Sequence, residues 1–139
     1  MKTVKWQEIE WSDDLAVEII DIDQDHKHLV KHMDALFKAC HAGLSAEVIK
    51  TLLFQLYRYT REHFAHEEDV MRRQRFPGVE DHRAKHAELI EALDDLIESF
   101  EIDPNRQLTE QTLDFLRDWL LHHIMVDDKK IAHHIGAVF

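Results

Sequence analysis

The sequence predicts an all-α fold, an antiparallel up-down-up-down four-helix bundle preceded by an extended N-terminal arm. Only three Gly and two Pro stand in 139 residues, too few for a turn-rich sheet protein. Hydrophobic residues at 45% and charged residues at 32% fit a soluble chain with a packed core. Four stretches carry apolar residues at spacings of three and four, divided by short breakers, which is the helical period.

Residues 1–22 show no sustained helical period until late, and read as an arm whose Trp6 and Trp11 cover an apolar seam rather than stay wet. The first helix spans about 23–41, with His26, Leu29, Val30, Met33, Leu36, Phe37 and Cys40 in period. Asp23 would be its N-cap and Gly43 its stop. A second helix over about 46–73 runs from Val48 and Ile49 to Val70 and Met71, ending before Phe76-Pro77-Gly78. The third covers about 81–101 and closes near Asp103-Pro104-Asn105. The fourth covers about 109–127, and the short tail adds at most a helical turn before Gly136. Short connections favour antiparallel neighbours in one domain of 139 residues, which buries roughly two-thirds of its unfolded surface.

A net charge of −11 disfavours nucleic acid and anionic membranes as partners, since phosphate binding needs clustered Lys and Arg. The first ten residues have no apolar signal region and no run has membrane-spanning length, so the expected location is the cytoplasm. Cys40 is the single cysteine, which excludes an internal disulfide and a thiolate metal cluster; its place on an apolar stripe marks it as an inert thiol. No extra apolar face is evident, which favours a monomer.

Twelve histidines are the unusual number. His63 and Glu67, four apart, share a helix face, and so do His82 and His86. With His26 and His123 they fall on the same stripes as the core Leu, Ile and Phe, where a polar group is costly unless satisfied. His26 and the His82/His86 pair lie near helix starts, whereas His63/Glu67 and His123 lie near helix ends. In an antiparallel bundle these starts and ends are level, so the groups meet in one layer at one end of the core. His28, His32, His41, His66, His122, His133 and His134 fall off the stripes or outside the helices.

Five His with a Glu are too rich in nitrogen for Ca²⁺ or Mg²⁺ and exceed the needs of one tetrahedral Zn²⁺. Two transition-metal ions bridged by carboxylates would use them all. The ferritin-type di-iron pattern is disfavoured because the four helices hold no Glu-x-x-His.

These residues resemble the hemerythrin family, and specifically the single-domain bacteriohemerythrins. The likeness runs through Trp11-Ser12, Asp23-x-x-His26-Lys27 with Leu29, His63-Phe64 before Glu67-Glu68 and Met71, His82-x-x-x-His86, and Trp119-Leu120-x-x-His123-Ile124 with Asp128. The resemblance implies that His82, His86 and His123 bind one iron, that His26 and His63 bind the other, and that Glu67, Asp128 and an oxo or hydroxo group bridge them. The first iron would then be six-coordinate and the second five-coordinate, and the open position is where the family binds O₂. Regular helical spacing points instead to Asp127, at i+4 from His123, because Asp128 at i+5 is turned away by about 140°. The family has its acid at i+5, which requires the fourth helix to end or widen there. Asp25 is a departure, since family members commonly carry Gln at that place.

What the resemblance implies is reversible O₂ binding for storage, delivery or sensing, without catalytic turnover. The alternatives are a di-iron enzyme that reduces peroxide or nitric oxide, and an oxygen, redox or iron sensor module acting through a separate partner. An oxygen-consuming or redox protein is the macromolecular partner expected. Leu120 and Ile124 stand beside the open position as candidate walls of an O₂ pocket, although ordinary core packing explains them equally well.

Overall fold

A computed structural model describes residues 20–105 and 107–138; the arm with Trp6 and Trp11 lies outside them. Four helices follow in order, α1 (Ile20–His41), α2 (Ala46–Arg73), α3 (Val79–Ile102) and α4 (Glu110–His122). A π-helical segment, His123–Asp128, leads directly into α5 (Lys129–Val138). No strand occurs among the described residues.

Local chemistry sets the ends. Gly43 has φ 68°, and the chain closes α1 with bonds from Gly43 N–H to Cys40 O and from Leu44 N–H to Ala39 O, the paired pattern of a Schellman stop. Arg75, at φ 53°, closes α2 in the same way, with Arg75 N–H on Arg72 O and Phe76 N–H on Met71 O. Ser45 caps α2 by accepting from Val48 N–H, and Thr109 caps α4 by accepting from Thr112 N–H at 3.1 Å.

Three boundaries differ from expectation. The described part of α1 already includes Ile20, so Asp23 lies inside the helix and is not its N-cap, and 20–22 belong to α1 rather than to the arm. The third helix begins at Val79, two residues before position 81, immediately after the turn at Gly78. The tail is a ten-residue helix that passes through Gly136, with Ile131 buried beneath it. Gly136 costs helix stability but does not end the helix.

Connections at 42–45, 74–78 and 103–109 are short, and cross-helix pairs report the antiparallel order. Lys50 near the start of α2 reaches Glu101 at the end of α3 at 2.7 Å. Lys85 near the start of α3 reaches Asp127, beyond the end of α4, also at 2.7 Å. Leu29, Met33, Leu36 and Phe37 of α1 pack with Leu53 and Leu56 of α2, Leu89, Leu93 and Phe100 of α3, and Leu113, Leu116 and Leu120 of α4. This core fills the bundle up to one polar layer.

Candidate metal centre

That layer is where the expected starts and ends meet. His26, His63, Glu67, His82, His86, His123 and Asp128 are all buried, at 4% exposure or less. Their donor atoms form two groups, each within 4.8 Å: Glu67, His82, His86, His123 and Asp128 in one, and His26, His63, Glu67 and Asp128 in the other. Glu67 and Asp128 belong to both, and each divides its two oxygens between them. Glu67 Oε1 lies 2.5 Å from His82 Nε2 and 2.9 Å from His86 Nε2, while Oε2 lies 3.1 Å from His63 Nε2. Asp128 Oδ1 lies 3.0 Å from His82 Nε2 and 3.1 Å from His123 Nε2, while Oδ2 lies 2.8 Å from His26 Nε2.

The π-helical segment settles which aspartate joins the layer. In an i→i+5 pattern the residue five places along returns to the same face, which brings Asp128 under His123. Asp127 sits on the other side of that ring, accepting from His123 Nδ1 at 3.3 Å while Lys85 Nζ donates to it at 2.7 Å.

His86 and His63 are held from behind as well, whereas His26 Nδ1 is buried without a partner. Glu68 accepts from His86 Nδ1 at 3.0 Å and from Arg83 Nε at 3.1 Å. Asp25 accepts from His63 Nδ1 at 3.1 Å and from His66 Nδ1 at 2.7 Å. A proton fixed on Nδ1 leaves the lone pair on Nε2, which is how carboxylates orient metal-binding imidazoles. Phe64 stacks on His86 with centroids 3.7 Å apart, and Trp119 stacks on His123 at 4.7 Å.

A cation fits this arrangement better than hydrogen bonding does. With both Nδ1 atoms committed to carboxylates, His86 and His123 bring their Nε2 atoms to 2.9 Å of one another, an approach that neither two lone pairs nor two N–H groups satisfy. Nε2 of His26 and His63, Oε2 of Glu67 and both oxygens of Asp128 are buried without a hydrogen-bond partner despite those short contacts. Donors spaced near 3 Å are what neighbouring positions around one ion require when bonds are about 2.1 Å.

Without a metal, the groups hold each other's charge. Burial opposes charging His63, but the carboxylates of Asp25 and Glu67 beside it outweigh that and raise the ring to about 9. Burial likewise pushes Glu67 up, yet His123, His26, His63 and His82 around it hold its carboxyl well below the usual range. His26, His82 and His123 are raised and Asp128 is lowered by the same competition between burial and pairing.

The hemerythrin HHE cation-binding domain model matches residues 18–135. The chain belongs to the hemerythrin family. It is 30% identical over 107 residues to a bacteriohemerythrin of Methylococcus capsulatus, covering 77% of this chain and 80% of that one. A bacteriohemerythrin of Stenotrophomonas maltophilia is 26% identical over 127 residues, 91% of this chain and 81% of its own. Myohemerythrin of Riftia pachyptila is 28% identical over 120 residues, covering 86% and 88%. A crystal structure of wild-type hemerythrin superposes with a TM-score of 0.81 at 26% identity, spanning 88% of this chain and 94% of that one.

Within this hemerythrin fold His26, His63, Glu67, His82, His86, His123 and Asp128 stand in the layer, Asp127 stands outside it, and Leu120 and Ile124 are buried in the core. Sequence reasoning missed the outer partners Glu68, Lys85, Arg83 and His66. Their bonds cross between helices, so no periodicity within one helix marks them. His134 is a structural anchor instead, donating from Nε2 to Gln74 O at 2.7 Å and tying α5 to the end of α2.

Proposed function

We propose that this hemerythrin binds O₂ reversibly at two iron ions, one held by His82, His86 and His123 and the other by His26 and His63, with Glu67 and Asp128 bridging. The observation that carries this reading is the division of each buried carboxylate between the two His groups. An iron pair held by these residues would supply the two electrons that O₂ takes on binding and returns on release.

The chain's own residues make the pair unequal. Three rings and two carboxylate oxygens would hold one ion, and only two rings and two oxygens the other, which would leave the second with one protein ligand fewer. The chain accordingly favours exchangeable ligand binding at the His26/His63 side. Leu120 and Ile124, buried at 1% and 0% exposure, keep water from the layer and limit the protonation that would drive irreversible oxidation. Storage, delivery or sensing is the role we assign, with no turnover.

Loading with ferrous iron under anaerobic conditions, followed by air, is the test. The expected result is about two irons per chain and a visible charge-transfer band that fades when O₂ is removed. Fewer than two irons, or no oxygen-dependent band, would overturn the reading.

A further inference from the structure

Three carboxylates back the ligand rings, and they are not equivalent. Glu68, behind His86, is paired with Arg83; Asp127, behind His123, is paired with Lys85. Asp25, behind His63, has a second histidine, His66, on the same oxygen, and no Lys or Arg among the described residues pairs with it. On the three-His side each outer negative charge is offset by a fixed cation, and on the two-His side it is not.

Resting on the di-iron reading above, we propose that Asp25 is a positioning residue that enriches His63 in electron density and lowers the reduction potential of the iron held by His26 and His63. A full carboxylate on Nδ1–H fixes the tautomer and strengthens Nε2 as a donor. Asp25 is about a quarter exposed and His63 fully buried, so solvent screens this charge only in part. His66 grips Asp25 Oδ2 from the outside, which keeps the carboxylate on His63 instead of turned to water. The two iron positions thus differ in the charge behind them as well as in ligand number.

Asp25→Asn removes the charge and keeps an oxygen that both rings can donate to. Lys85→Gln/Asp127→Asn removes a neutral pair from behind the other iron and serves as the control. All are loaded with ferrous iron, assayed for metal, and titrated to their midpoint potentials with soluble mediators. Asp25→Asn is expected to retain iron and to shift the equilibrium toward reduced iron at least tenfold, about 59 mV for a one-electron couple. The control is expected to move by less than a third of that. No shift in Asp25→Asn, or equal shifts in both, overturns the proposal and leaves the di-iron reading standing; a wild-type chain that takes up no iron overturns the reading itself. Should Asp25→Asn hold no iron, Asp25→Gln repeats the measurement, and loss of iron from both in excess metal overturns tuning in favour of a purely structural role.

Discussion

The same four helices bury opposite things at the two ends of the bundle. Away from the metal layer they present Leu53, Leu93, Phe100, Leu113 and Leu116, and each such side chain gains about 1.5–3 kcal/mol by leaving water. Two or three turns along, the same stripes bury His63 and Glu67 on α2, His82 and His86 on α3, and His123 past α4. Burying those groups costs free energy that only pairing or a cation offsets. One end is complete in itself, and the other is completed by what it binds.

The largest effect that would break this comparison is removal of iron. At a thousandfold excess over its dissociation constant each bound ion contributes about 4 kcal/mol, so the proposed pair contributes about 8 kcal/mol, all of it at one end. Stripping iron is therefore expected to lower unfolding free energy by about that amount and to erase amide-exchange protection in 60–71, 79–90 and 119–131, while amides around Leu53 stay protected. Uniform loss along α2 would show that the two ends are one cooperative unit. A smaller effect, in the opposite place, is expected of Leu53→Ala. The side chain is fully buried and lies ten residues, about 15 Å, along α2 from His63. The cavity should cost about 2–5 kcal/mol in iron-free and iron-loaded protein alike, measured by denaturant unfolding. A change in iron content with this variant would mean that core packing reaches the site.

How far the sequence carried differs between the ends for a physical reason. Apolar period is a property of one helix, so the core from Leu29 to Leu120 was visible, and depth along antiparallel helices was enough to bring His26, His63, His82, His86 and His123 together. Spacing alone favoured Asp127 over Asp128, because an i+4 rule assumes an unbroken α-helix and the π-helical segment breaks it. The likeness to hemerythrins, not periodicity, pointed to Asp128. The outer pairs were out of reach: Asp25 meets His63 and His66 at separations of 38 and 41 residues, and Lys85 meets Asp127 at 42. Helix α5 was hidden by Gly136, read as a stop although Ile131 packs the helix down.

The smallest effect is also the sharpest test of how the polar end stays folded without metal, because it depends on the sign of a pH trend. In the iron-free chain His63 is raised from 6.5 to about 9, so folding is favoured where the ring is charged in both states, below pH 6.5, and that stability is lost as pH rises through 9. His26, His82 and His123 are raised too and act in the same direction. Glu67 and Asp128 are lowered from 4.5 and 3.8, so their contribution is present above those values and lost as pH falls. Iron reverses the histidine side of the balance, since a proton on Nε2 competes with the metal. The melting temperature of iron-free protein is therefore expected to decline by several degrees between pH 6.5 and 9 while that of loaded protein holds, so that the gap between the two widens with pH. An iron-free chain whose melting temperature stays flat or climbs over that range would mean that the buried imidazoles are neutral before metal arrives, and that misaligned contacts alone, without charge, hold the layer together.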